Sequence, residues 1–238
     1  MSAPFDTRHP PADTTSRSAG HSSECAPVDH TRGEILALEG LSRRFGRREV
    51  VRSLNLVLER GERVALWGPN GSGKTTVLRC IAGTLMPSAG RITIGGHEAG
   101  SLPARRLVGV SFSQERSFYL RLSGRENLIF FARARGMGRR KAMRRVEALG
   151  EELELGPILA TRADRCSTGM IQQLAFARAL VGEPELLLLD EPTRSLDADA
   201  VERLWHAIDR RSGVALVVAT HHPLDAERCG RRLELSAP

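Results

Sequence analysis

The stretch Gly68-Pro69-Asn70-Gly71-Ser72-Gly73-Lys74-Thr75 limits the folds open to this chain more than any other. It satisfies the pattern G-x-x-x-x-G-K-[ST], directly after the apolar run Val64–Trp67 and directly before a helical run, which is the context the pattern requires. The physics is local. Gly71 and Gly73 let the backbone turn so that successive N–H groups face one point, where the following helix adds the positive end of its dipole. A phosphate chain is the expected occupant: Lys74 bridges β- and γ-phosphates, and the Thr75 hydroxyl can ligate Mg²⁺.

A second feature answers the first. Leu186-Leu187-Leu188-Leu189 ends abruptly in Asp190 and Glu191, as a strand buried on both faces that stops in two carboxylates. Phosphate sites in open α/β sheets lie beyond the carboxyl ends of strands, so this end is expected to meet the loop at Lys74. Asp190 then suits Mg²⁺, directly or through water, and Glu191 suits polarisation of an attacking water. Capping of the next turn is the structural alternative for either carboxylate.

Further strands are expected at Ile35–Leu38, Leu54–Leu58, Arg91–Ile94, Leu107–Phe112 and Val214–Ala219, with helices at Lys74–Ala82 and Ile171–Val181. That alternation predicts an α/β fold with a mostly parallel sheet. From about Ser123 to Asp164 no strand is expected: Ser123 and Glu126 form a capping box, and Met143, Val146, Leu149 and Leu153 recur at helical spacing. Residues 1–33 hold almost no large apolar side chains and read as a disordered tail.

Composition narrows the function classes. With 41% hydrophobic and 26% charged residues the chain is an ordinary globular one, and no apolar run approaches the ~20 residues of a membrane span. Any membrane role is therefore expected through a partner. Four scattered cysteines and the lack of a charged-then-apolar leader point to reduced thiols in the cytosol. The net charge of +7 comes almost entirely from arginine, and with aromatics at only 4% a solvated basic surface is the reading, not a nucleic-acid face.

In their order along residues 35–235, these motifs resemble the ATP-binding cassette (ABC) family of transporter ATPases. Gln114 in Ser111-Phe112-Ser113-Gln114 falls at the family's Q-loop glutamine, which senses Mg²⁺ and the attacking water. Cys166-Ser167-Thr168-Gly169-Met170 is similar to the LSGGQ signature, with Ser167 and Gly169 matched and Cys166, Thr168 and Met170 departing from it. Ser195-Leu196-Asp197 follows as the D-loop does, and His221 falls at the switch histidine, although His222 stands where the family commonly has Asp. Phe45 lies where the family stacks a ring on adenine, with packing in the core as the other reading.

The resemblance implies a P-loop NTPase core with an N-terminal antiparallel β part and a helical subdomain inserted at about 115–165 of a 34–238 ATPase domain. It implies ATP and Mg²⁺ as cofactors and makes Gly68, Pro69, Asn70, Gly71, Ser72, Gly73, Lys74, Thr75, Thr76, Ser167 and Gly169 nucleotide-binding. Glu191, His221 and Gln114 are implied as catalytic, and Thr75, Gln114 and Asp190 as metal ligands. The implied partners are a second cassette, as homodimer or heterodimer, and polytopic membrane subunits at the cytoplasmic face of the membrane. Exporters are the nearest likeness, with Phe118 and Tyr119 as anchors for the membrane subunit. The alternative class is a soluble ABC ATPase acting on ribosomes or nucleic acid.

Overall fold

The computed structural model describes residues 33–112 and 118–236, so the expected tail (Gly33 apart) and Gln114 lie outside the described residues. The N-terminal part is an antiparallel sheet. Strands β1 (Glu34–Phe45) and β2 (Arg48–Glu59) form a hairpin, and β4 (Ala89–Ile94) and the short β5 (His97–Glu98) extend it in the order β2-β1-β4-β5. The pairing steps from Leu38↔Leu56 to Leu41↔Leu54, one extra residue on β1, with Gly40 at φ 59. That bulge breaks the alternation and is why only Ile35–Leu38 reads as strand in the sequence.

The second sheet has the order β6-β7-β8-β3-β9, and every adjacent pair is parallel. Its strands are β3 (Arg63–Trp67), β6 (Val108–Ser111), β7 (Leu186–Asp190), β8 (Ala215–Thr220) and β9 (Arg231–Glu234). Successive residues feed opposite cores. Leu187, Leu189, Leu216 and Val218 pack into one, and Leu186, Leu188, Ala215 and Val217 into the other. A strand covered on both faces needs apolar residues at every position, hence the unbroken runs. The helix α1 (Lys74–Ile81) belongs to the second core, together with the antiparallel sheet and α2 (Leu102–Leu107).

Helices α3 (Gly124–Ala134), α4 (Arg139–Glu152) and α5 (Gly156–Ala160) lie between β6 and α6 (Thr168–Val181), and α7 (Ala198–Asp209) and α8 (Pro223–Glu227) follow β7 and β8. Ser123 and Glu126 form the expected capping box at α3. On α4, Val146, Leu149 and the following Leu153 are buried, whereas Met143 is exposed, contrary to the helical-spacing expectation. Among the basic residues of α4, Arg145 turns in to donate to Leu180 O at 2.8 Å, capping the negative end of α6, while Arg139, Arg140, Lys141 and Arg144 face solvent. Gly109 of β6 lets α6 close on the sheet: a Cβ there would meet Ala179 O at 2.2 Å.

Candidate functional site

The loop between β3 and α1 folds as its glycines dictate. Gly71 and Gly73 sit at φ 84 and 95, where L residues are strained. A side chain at Gly73 would also meet Val50 O at 2.9 Å. Gly73 is the N-cap of α1 and offers no side-chain acceptor, so the first-turn N–H groups stay available to an anion. Ser72 Oγ is buried and has no hydrogen-bond partner among the described residues. Lys74 Nζ, also buried, donates to its own loop at Gly68 O (2.7 Å) and Pro69 O (3.0 Å). An orphan hydroxyl and an ammonium held by weak neutral acceptors fit a polyphosphate, which supplies stronger ones.

A cavity of about 550 Å³ opens over this loop, lined by Asn70, Lys74, Thr75, Asp190, Glu191 and His221 among others. The parallel sheet brings these together because β3, β7 and β8 are neighbours and all end at the same edge. Thr75 Oγ1 lies 3.0 Å from Asp190 Oδ2 and 3.2 Å from Oδ1. Two hard oxygen donors side by side are a fitting pair for Mg²⁺.

Burial is the main force on Asp190 and raises its pKa, Glu191 adds to the rise, and the Thr75 hydrogen bond opposes it. The sign follows. The folded state holds the Asp190 proton at pH values where the unfolded chain has lost it, so stability falls as pH rises through that window and stays lower above it. Asp190→Asn, which keeps the acceptor for Thr75, should therefore raise the Tm of the nucleotide-free and metal-free protein at neutral pH in a thermal melt, and an unchanged or lower Tm would contradict this account.

Glu191 follows β7 in a left-handed conformation, φ 48, uncommon for a residue with a side chain. Its N–H donates to Ala219 O at 2.8 Å, and its Oε1 lies 2.7 Å from His221 Nδ1. With Glu191 ionised, Nδ1 carries the proton and donates. Neither carboxylate caps the next turn: that duty falls to Asp197, whose Oδ1 accepts from Ala200 N at 2.7 Å at the start of α7.

Ser167, Gly169 and Phe45 do not line this cavity. Ser167 is the exposed N-cap of α6 and accepts from Met170 N at 3.2 Å. Gly169 packs against the D-loop of its own chain, since a Cβ there would meet Ser195 O at 2.5 Å. Phe45 is 47% exposed with the Arg43 guanidinium 4.5 Å over its ring, which excludes the core reading. The two aromatic anchors part company. Phe118 is buried (8% exposed) against Phe131, while Tyr119 is 49% exposed and stacks edge-on with the exposed Phe130.

Two buried polar residues, one beside the site and one in the helical part, carry no sign of their partners in the sequence. Gln172, buried on α6, donates to Glu191 O (3.4 Å) and Pro192 O (3.2 Å) and so ties the signature helix to the backbone of the catalytic candidate. Asn127, fully buried on α3, accepts from Tyr119 N and donates to Tyr119 O, fixing the exposed Tyr119 segment. Each is a polar side chain in an apolar stretch, a signal that marks position but not partner.

Comparison with known proteins agrees with this geometry. The pattern of the ABC transporter family matches residues 51–194. The ABC transporter ATP-binding protein NatA of Bacillus subtilis (strain 168) is 39% identical over 169 residues, 68% of this chain and 69% of its own length. The Nod factor export ATP-binding protein I of Rhizobium sp. (strain N33) is 36% identical over 200 residues, 82% of this chain and 66% of its own, so this chain spans about two thirds of these relatives. The ATP-binding cassette MJ0796, solved as a dimer in a post-hydrolysis state with ADP and Pi, superposes with a TM-score of 0.75 at 26% identity, covering 84% of this chain and 94% of that one. The chain belongs to the ABC transporter family, as an ATP-binding cassette, the ATPase part of such transporters.

Proposed function

We propose that this chain hydrolyses ATP in a site shared with a second cassette and so powers export through separate membrane subunits at the cytoplasmic face of the membrane. One observation carries the chemistry: the Glu191–His221 pair stands at the rim of the same cavity that Lys74, Thr75 and Asp190 line. The loop N–H groups, Ser72 Oγ and Lys74 bind the phosphates, and Lys74 exchanges its loop carbonyls for β- and γ-oxygens. Glu191 takes a proton from the water that attacks the γ-phosphorus. His221 fixes the Glu191 carboxylate through Nδ1 and faces the γ-phosphate. Thr75 and Asp190, with Gln114 as the third candidate, would hold Mg²⁺, which when bound neutralises charge on the phosphate oxygens.

Ser167 and Gly169 lie away from this chain's own cavity, which supports their use on the nucleotide of a second copy or of a different cassette. The dimeric form of MJ0796 supports the same arrangement. Export as the direction rests on the likeness to the Nod factor export protein.

No helix among the described residues is long and apolar enough to cross a membrane, so the membrane path belongs to another segment or subunit. The helices α3–α5 form the subdomain we assign to docking, with Tyr119, Leu120 and Phe130 as its exposed apolar patch. Tagged chain purified from gently solubilised native membranes should bring down a polytopic membrane protein in stoichiometric amount. Tyr119→Ser with Phe130→Ser should cut that recovery about 10-fold or more, as loss of aromatic anchors at an interface does, with the Tm held. Recovery with ribosomes or nucleic acid instead would overturn the transport reading, and inverted vesicles that lose cargo from their lumen on adding ATP would overturn the direction.

A further inference from the structure

Asp225, on α8 four residues after His221, is a carboxylate only 2% exposed that takes no part in lining the nucleotide cavity. Its Oδ2 accepts from Thr193 Oγ1 at 2.7 Å and from Thr220 Oγ1 at 3.2 Å, and its Oδ1 from Trp205 Nε1 at 3.3 Å. Thr220 Oγ1 in turn accepts from His222 N at 2.9 Å, which commits its single proton to Asp225. Thr193 stands two residues after Glu191 and Thr220 one residue before His221. A ring of bonds therefore closes. Glu191 and His221 meet on its solvent side, Thr193, Asp225 and Thr220 on its buried side, and the Glu191 N–H to Ala219 O bond crosses between.

The need for such a clip is visible in the surroundings. Glu191 and His221 line the nucleotide cavity and also, with Thr193, Trp205 and Asp225, a second cavity of about 750 Å³, so the pair lies between two openings and is held mainly by its polar contacts. The Glu191 backbone is held in a conformation that persists only where its surroundings over-determine it. Three donors converge on Asp225, which a carboxylate can accept together; an amide would turn an N–H group against at least one of them. We propose that Asp225 is a positioning residue for hydrolysis: it locks the loop after β7 to the end of β8 and so keeps Glu191 and His221 in register. This rests on the reading of Glu191 as the base, and it assigns a role to a residue outside the lining of the nucleotide cavity.

The test uses the full chain, with Glu191→Gln as reference, Thr193→Val and Asp225→Asn as the two probes, and Thr193→Ser as the rescue. A misplacement of about 1 Å costs roughly 100-fold, so Thr193→Val and Asp225→Asn should each lower kcat about 10- to 100-fold. KM for ATP should stay within about 3-fold, since ground-state binding is not touched. Melting should remain cooperative. Thr193→Ser, which restores the hydroxyl, should recover most of the kcat lost in Thr193→Val. In a Trp67→Phe background, Asp225→Asn should shift the emission of Trp205, the other of the two tryptophans. Wild-type kcat in both probes while Glu191→Gln is inactive would overturn this inference alone. Equal losses of kcat and ATP binding with a collapsed melting transition in both probes would overturn it in favour of a purely structural role. Wild-type turnover in Glu191→Gln would remove the base reading, and this inference with it.

Discussion

Glu191→Gln should bind ATP as tightly as the wild-type chain and turn it over about 100- to 10,000-fold more slowly, the range a positioned general base supplies. The amide is nearly isosteric, so the hydrogen bonds of the Glu191 backbone to Ala219 and Gln172 need not change. The lost element is the basic oxygen. The imidazole tautomer reverses with it or the amide flips, because His221 Nδ1 now meets either an amide oxygen or an N–H₂ group, and either way the pair stops acting as a proton acceptor. Single-turnover hydrolysis and equilibrium binding of labelled ATP separate the two quantities. Slow turnover with intact affinity places Glu191 in the chemical step, and on the proposed shared site unhydrolysed ATP should hold two cassettes together, so the variant with ATP should elute as a dimer. Wild-type turnover would remove Glu191 from the mechanism.

Lys74→Ala should lose binding itself. The ammonium is buried at the bottom of the cavity and held by two backbone carbonyls, so its charge is already desolvated before nucleotide arrives. Hydrogen bonds to charged groups are worth about 1.5–3 kcal/mol each, so removing one cation that serves two phosphates should weaken ATP by about 100-fold or more. Arginine is a poor substitute, because a planar fork does not replace a compact point charge in a closed loop. Titration calorimetry with Mg²⁺ and a non-hydrolysable ATP analogue measures the change directly. Affinity within 3-fold of wild type would show that the backbone cradle alone carries the phosphates.

The two variants probe parts of the molecule that differ in how far they can be read from the chain. The loop from Gly68 to Thr75 is legible because its requirement is contained in eight consecutive residues, and Asp190 and Glu191 are legible because an apolar strand that ends in two acids is unusual on its own. The parallel sheet declares itself through unbroken runs such as Leu186–Leu189, which no half-exposed strand would tolerate. Long-range polar contacts leave no such mark. Asp225 meets Thr193 across 32 residues and Gln172 meets Pro192 across 20, and nothing local to either distinguishes it from a surface residue or a helix cap. Phe118 and Tyr119 are adjacent and similar, yet only the fold of α3 decides that the first is buried and the second is not. The β1 bulge hid two thirds of a strand for the same reason: its register is set by a partner strand, and by Asn55 Oδ1 accepting from Gly40 N at 2.7 Å.

The left-handed backbone at Glu191 has a consequence for evolution and for engineering. An L residue held there costs about 1–2 kcal/mol relative to glycine, so Glu191→Gly is an exchange the fold itself would welcome. A campaign that screens this chain for heat resistance alone would be drawn toward removing the base proposed above, and thermostable isolates should be sequenced at position 191 before they are assayed for anything else. On the proposed reading, selection for hydrolysis is what keeps an acid at a place where the backbone conformation alone favours glycine.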